Sequence, residues 1–369
     1  MERRKVGILG ATGMVGQRFI QMLADHPWFE VAWLAASDRS AGKTYAEACR
    51  WKLDTPIPAK IAAMTLMPNV PEGTPSGELP KIIFAALDSS VALELEPKFA
   101  AAGCAVISNS SAFRMTSDVP LVVPEVNADH LGMIDGQSWR KESGGFMVTN
   151  PNCSAIGLVL ALKPLEERFG IESLFVSTMQ AISGAGYPGV ASLDILGNVV
   201  PFIKNEEEKL QEEVAKLLGA VRGDHVEMLD VKVSAHCNRV AVEDGHTECV
   251  SIKFRKPATR EEILAAWAEF SPLRGIHEGQ DLPSAPDQPV EYDAAEDRPQ
   301  PRLDRMRGRG MASTVGRLRP CNLLDWKFVV LSHNTIRGAA GAALLNAEIL
   351  AMLGKLDAPK GAAAGLVTA

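Results

Sequence analysis

The residues best equipped for chemistry lie in Thr149-Asn150-Pro151-Asn152-Cys153-Ser154-Ala155-Ile156-Gly157, with an apolar run, Ile156 to Leu165, directly behind the cysteine. Pro151 and Asn152 are helix-start residues, so Cys153 is expected in the first turn of a helix. There, unpaired amides and the positive end of the helix dipole favour a thiolate, and the same amides suit an oxyanion formed when sulfur attacks a carbonyl. On this pattern alone, a nucleophile and a buried structural cysteine are both open.

Such a cysteine needs a scaffold. Lys5-Val6-Gly7-Ile8-Leu9 reads as a buried strand, Gly10-Ala11-Thr12-Gly13-Met14-Val15-Gly16 as a glycine turn, and Gln17 to Ala24 as an amphipathic helix. Strand, turn and helix are the context of a dinucleotide site, in which bare glycines let the backbone approach a pyrophosphate seated on the helix N-terminus. The second strand, Phe29 to Ala36, ends in Ser37-Asp38-Arg39-Ser40-Ala41-Gly42-Lys43. Asp38 would suit a ribose hydroxyl, but Arg39, Lys43 and the two serines suit a ribose 2′-phosphate, so the expected cofactor is NADP. Further strands at Lys81–Leu87 and Ala105–Ser108, with a helix from Asp88 to Ala101 between them, complete a β-α-β series suited to a parallel, doubly wound sheet. Arg114 follows the last of these strands amid small hydroxyl residues, as an anion ligand or a surface loop arginine.

Beyond the cysteine, Ser173 to Met179 reads as a strand entering the glycine-rich Gln180 to Gly189. Asn205-Glu206-Glu207-Glu208-Lys209 opens a charged helix to Leu218, and such a run reads as a solvated face. Val231–Val240 and Glu248–Phe254 look like paired strands joined at Glu243-Asp244-Gly245. His236 and His246 lie on or beside them and, taken blind, are read as structural. Gly279 to Arg309 is either a covering arm or a partly disordered loop. Ser332 to Gly341 leads into an Ala/Leu-rich helix near Leu353, expected against the nucleotide domain; the low-complexity tail from Ala358 reads as frayed.

Composition narrows the class. The 369 residues are enough for two domains, and the net charge of −7 argues against a nucleic-acid surface. No apolar run reaches membrane-span length, and Met-Glu-Arg-Arg-Lys at the start has no apolar stretch behind it. The six cysteines are scattered without metal-ligand spacing, so no metal and a reducing, cytoplasmic setting are expected.

A nucleotide fold with a helix-start cysteine is equipment for hydride chemistry at the acyl level. The motifs at 10–16, 37–43, 109–115, 150–154, 180–189, 239–246 and 332–341, in this order over essentially the whole chain, resemble aspartate-semialdehyde dehydrogenase of the archaeal and fungal branch. The resemblance implies a Rossmann-type NADP domain over 1–151, an α+β catalytic and dimerisation domain over 152–333, a helix over 334–355 returning to the first, and a flexible tail over 356–369. It further implies Cys153 as nucleophile, Asn152 steadying the oxyanion, and His246 as general acid/base. Arg239 would grip the substrate carboxylate and Gln180 position the substrate. Glu206 would face its ammonium, with neighbouring glutamates leaving that register open by one. Lys209 and Arg114 would bind phosphate. Gly10, Thr12, Gly13, Met14, Val15, Ser37, Arg39, Ser40 and Lys43 would hold the cofactor phosphates, with Ser183, Gly184 and Asn334 near the nicotinamide. The implied reaction is the reversible reductive dephosphorylation of L-4-aspartyl phosphate by a homodimer or homotetramer. An acyl-CoA reductase of the malonyl-CoA type, the more distant N-acetyl-glutamyl-phosphate reductases and a silent NADP-binding protein are the alternatives.

Overall fold

The computed structural model describes residues 2–357 apart from 73, 75, 76 and 274–281. The tail expected to fray from Ala358 lies outside them, as does the start of the Gly279–Arg309 segment.

Six strands form the first sheet: β1 (Arg4–Leu9), β2 (Phe29–Ala36), β3 (Met67–Pro68), β4 (Ile82–Ala85), β5 (Ala105–Ser108) and β6 (Phe146–Thr149). Their order is β3-β2-β1-β4-β5-β6, and every pairing is parallel. Continuous apolar runs such as Ile82–Ala85 suit strands covered on both faces, and all four of those residues are buried. This is the doubly wound Rossmann order. Its strand order reverses between β1 and β4, so a ligand crevice opens beyond their carboxyl ends. The C-terminal helix (Gly341–Met352) supplies Ala343, Leu344, Leu345, Ile349 and Leu350 to the same core as Val6, Ile8, Phe19, Phe84 and Phe146. Its Asn346 Nδ2 donates to Asn150 Oδ1 at 2.8 Å, tying the chain end to the segment that carries the cysteine.

The second unit holds β7 (Ile171–Gln180), a small hairpin of β8 (Ala220–Arg222) and β9 (His225–Glu227), β10 (Lys232–Arg239), β11 (His246–Phe254), β12 (Val290–Asp293), β13 (Ser313–Pro320) and β14 (Trp326–Ser332). Its mixed main sheet runs β10-β7-β11-β14-β13-β12. One face is covered by the cysteine helix (Cys153–Phe169), the charged helix (Glu206–Leu217) and the helix Arg260–Glu269. Ile156, Leu158, Val159, Leu160, Leu162 and Leu165 are fully buried there. Each contributes about 1.5–3 kcal/mol against exposure, which fixes the cysteine helix on the sheet. On the other face Phe175 and Met179 stand 40% and 37% exposed beside exposed His236 and Cys249.

Two sequence expectations change, and one left open is decided. β10 and β11 do not pair with each other. β7 lies between them, parallel to β10 and antiparallel to β11, because its own alternation buries Leu174, Val176 and Thr178 on the same side. Within the Pro/Asp/Arg-rich segment, 282–309 is an ordered arm: Arg298 and Arg307 both pair with buried Asp304, and Arg307 also reaches Asp293. The charged helix is not simply solvated, since Glu206, Glu213 and Lys216 are buried.

Candidate active site

Strand ends bring the chemistry together. Arg239 ends β10 opposite Gln180 at the end of β7, and His246 opens β11 opposite Ser332 of β14. These ends face the start of the cysteine helix across a cleft of about 580 Å³, whose walls include Met14, Arg114, Cys153, Glu206, Lys209 and Arg239. Cys153 Sγ lies 3.2 Å from His246 Nε2. The other ring nitrogen, Nδ1, accepts the Ala181 N–H at 3.1 Å. A nitrogen that accepts has a free lone pair, so neutral His246 carries its proton on Nε2, toward the sulfur. Burial, then Arg239 and His333, pull the imidazole down to about 3.

The helix start differs from the sequence expectation in one respect. Asn152 is the N-cap, and its Oδ1 accepts from Ser154 N at 2.9 Å and Ala155 N at 3.3 Å. Those amides are therefore occupied rather than open to an oxyanion. Asn152 Nδ2 donates to Glu206 Oε1 at 2.8 Å, and its backbone N–H to Glu213 Oε2 at 2.5 Å. Two buried carboxylates thus sit where the dipole would have favoured a thiolate. Burial and then Glu206 push the Cys153 thiol up to about 12, outweighing Arg114 and Arg239, so the free protein holds a thiol.

The remaining substrate-side residues divide. Arg239 is buried, and its Nη1 donates to Ala181 O at 2.7 Å. Arg114, at the cleft wall, donates from Nη1 to Glu213 at 2.9 Å and from Nη2 to Asn109 O at 2.8 Å, leaving Nε buried without a partner. Lys209 is part-exposed in the cleft, 3.9 Å from Glu206 Oε2. Of the three glutamates, Glu206 lines the cleft, whereas Glu207 accepts from Cys237 N at 2.9 Å and Glu208 is exposed. Gln180 is buried, donates to Thr178 Oγ1 at 3.3 Å and does not line the cleft.

The nucleotide side fits a dinucleotide. Gly10 has φ +70°, and a Cβ there would stand 2.4 Å from Ala86 O, so the turn requires glycine. Gly13 caps the first helix (Met14–Leu23) without a side-chain cap or an acidic first turn, leaving its amides for a pyrophosphate. Thr12 is part-exposed at the same turn, and Met14 and Val15 reach the cleft. Asn334 Nδ2 donates to Ser183 Oγ at 2.8 Å; both line the cleft with Gly184. Ser37, Arg39, Ser40 and Lys43 form a turn after β2, outside the cleft wall, with Ser37, Arg39 and Lys43 exposed.

Sequence reasoning missed Glu213 and Lys216. Lys216 Nζ donates to the carbonyls of Arg114, Thr116 and Val119 at 2.6, 2.9 and 3.1 Å, fixing the loop that carries Arg114. Burial pulls its ammonium down to about 8. The signal was spacing: Glu213 follows Glu206 by seven residues and Lys216 follows Lys209 by seven, so each pair shares a helix face. Gly338 was also missed. A Cβ there would stand 2.7 Å from Cys153 Cβ.

Residues 5–134 match the NAD-binding domain of the semialdehyde dehydrogenases, and residues 162–337 match their dimerisation domain. The chain is 51% identical over 348 residues to an aspartate-semialdehyde dehydrogenase of Archaeoglobus fulgidus, covering 94% of this chain and 98% of that one. It is 47% identical to one from Schizosaccharomyces pombe, covering 95% and 98%. Among solved structures, that of the Candida albicans enzyme with NADP superposes with a TM-score of 0.85 at 44% identity, over 94% of this chain and 98% of that one. The Vibrio cholerae enzyme II complexed with ASA gives 0.73 at 26%, over 95% and 99%.

Proposed function

The chain belongs to the aspartate-semialdehyde dehydrogenase family, and we propose that it interconverts L-4-aspartyl phosphate with L-aspartate 4-semialdehyde and phosphate through a thioester on Cys153. The observation that carries this is the Cys153–His246 contact of 3.2 Å in a cleft that also presents Arg239, Glu206, Lys209 and Arg114. The set offers one partner for each charged group of an α-amino acid acyl phosphate, and no part of it is specific for a coenzyme A chain. With the names of the relatives, this favours the phosphate reading over an acyl-CoA reductase.

Arg239 takes the α-carboxylate and Glu206 the α-ammonium, while Lys209 and Arg114 meet the phosphate. The Cys153 sulfur bonds the acyl carbon as the C–O bond to phosphate breaks; the thiol proton leaves on the departing phosphate, and these cations take up its remaining charge. NADP is the cofactor and exchanges a hydride with the acyl carbon when bound. His246 Nε2 faces both the sulfur and the oxygen of the resulting thiohemiacetal, and it is the atom through which the proton moves as the C–S bond opens and aldehyde leaves. Asn152 acts through the helix cap and Glu206, with one Nδ2 proton left for an oxyanion, and Gln180 supports the β7 end from beneath.

The Gly10–Val15 turn would hold the cofactor pyrophosphate, Ser183, Gly184 and Asn334 the nicotinamide side, and Arg39 and Lys43, with Ser37 and Ser40, the 2′-phosphate. The units divide at 151/152, with 334–355 returning to the first; the shared core of the C-terminal helix supports this. The open face of β7, β10 and β11 suits a homo-oligomer contact, either the dimer alone or a tetramer built from it. Among the described residues no helix is long and apolar enough to cross a membrane; we place the enzyme in the cytoplasm, in the synthesis of lysine, threonine and methionine. The test is phosphate-dependent oxidation of L-aspartate 4-semialdehyde, run separately with NADP and NAD. NADP-linked turnover that Cys153→Ser abolishes is expected; more than a trace left in that variant would overturn the covalent route.

A further inference from the structure

Glu206 is fixed in an unusual place for a substrate ligand. Its Oε1 accepts from the side chain of Asn152, the N-cap of the helix that begins with Cys153, so a carboxylate is anchored one residue from the nucleophile. It is 6% exposed and lines the same cleft as the sulfur. The other charged and titratable groups around Cys153 come from three further elements and from the helix of Glu206 itself. Arg114, from the loop after β5, is already paired with Glu213. Lys209 stands 3.9 Å from Glu206 Oε2, beyond hydrogen-bonding reach. Arg239 ends β10, and His246 opens β11 with its Nδ1 committed to Ala181. The helix amides of Ser154 and Ala155 donate to Asn152 Oδ1, and the Ser154 N–H favours the thiolate less than burial and Glu206 oppose it. Glu206 Oε2 therefore has the Lys209 ammonium at 3.9 Å as its nearest cation, with no hydrogen bond between them, and it lines the same cleft as the sulfur that must ionise.

We propose that Glu206 gates the nucleophile: its charge, anchored on the cap of the cysteine's own helix, opposes thiolate formation until the ammonium of an amino-acid substrate neutralises it. The direction follows from electrostatics, since a neighbouring anion disfavours a second one and a cation bound to the first removes the penalty. Among the charges acting on the thiol, Glu206 is the largest, ahead of Arg114 and Arg239. The gate gives the enzyme a preference for α-amino substrates beyond simple binding, because an acyl phosphate lacking the ammonium meets an un-ionised thiol. It also keeps the sulfur inert while the cleft is empty. The inference rests on the reading of Glu206 and Arg239 as the ligands for ammonium and carboxylate.

The test is an ultraviolet thiolate titration of the full-length protein, with the spectrum of Cys153→Ser subtracted to remove the other five cysteines. Wild type is titrated with L-2-aminobutyrate, which has ammonium and carboxylate but no reacting carbonyl, and with butyrate, which lacks only the ammonium. The midpoint with aminobutyrate is expected about one pH unit below that with butyrate, or about tenfold more thiolate at a given pH. Glu206→Gln should lower the ligand-free midpoint by a similar amount and lose the difference between the two ligands, whereas Glu206→Asp, which keeps the charge, should stay near wild type. Equal midpoints with the two ligands, or a Glu206→Gln midpoint at or above wild type, would overturn the gate. The ligand comparison on wild type decides even where a variant fails to fold. Phosphate-dependent turnover of the same preparation separates the two failures: turnover without the ammonium effect sinks the gate alone, and absence of turnover sinks the functional reading.

Discussion

Gly338→Ala should disable the nucleophile while leaving the fold in place. The added methyl would stand 2.7 Å from Cys153 Cβ and 3.0 Å from Cys153 Cα, where ordinary carbon contacts begin near 3.5 Å. The shortfall is about 0.8 Å. Gly338 cannot readily retreat: its N–H bonds His333 O at 2.9 Å, and neighbouring Arg337 is locked to Glu125 by bonds of 2.7 and 2.6 Å in a fully buried pair. The cysteine must therefore yield most of the distance. A displacement of about 1 Å at a reacting atom costs on the order of a hundredfold in rate, so kcat for NADP-linked oxidation of the semialdehyde should fall about 30- to 100-fold. The overpacking should cost only about 1–3 kcal/mol of stability. Gly132→Ala, whose Cβ would meet nothing within 4 Å, is the control and should match wild type. A Gly338→Ala enzyme within threefold of wild-type kcat would refute the argument. So would a loss accounted for by its unfolded fraction in a parallel denaturation curve.

Three further outcomes are expected. Arg337→Met leaves Glu125 buried without its bidentate partner and should destabilise the protein by about 3–5 kcal/mol in urea unfolding; removing both charges with Glu125→Gln should recover part of that loss. Lowering the pH should weaken the fold through His246. Its folded pKa of about 3 lies below the unfolded value, so its contribution is present above about 6.5 and is lost as pH falls toward 3. From pH 6.5 to 5 the loss is about 2 kcal/mol, and His246→Asn should flatten that part of the urea-midpoint profile. Finally, Arg39→Ala with Lys43→Ala should raise KM for NADP about 10- to 100-fold and leave KM for NAD near wild type, since only the 2′-phosphate loses charged donors. Equal losses with both cofactors would remove that turn from the cofactor site.

Local pattern made much of the molecule legible. Asn152 and Pro151 mark a helix start, and Cys153 does open a helix; the glycine turn after Leu9 does stand between a strand and a helix. These features depend on neighbours a few residues apart, and backbone geometry at that range is set by side-chain size and hydrogen bonding. What tertiary structure alone decided is the state of the nucleophile and the order of the second sheet. Alternation identifies a buried face but not its partner, so the insertion of β7 between β10 and β11 could not be read from either strand. The Asn152–Glu213 and Arg114–Glu213 bonds join residues 61 and 99 positions apart. A charge run looks solvated until such partners are known, because burial reverses the energetic meaning of a carboxylate or lysine. The chain alone placed a sulfur at a helix N-terminus; only its folded surroundings make that sulfur a protonated thiol.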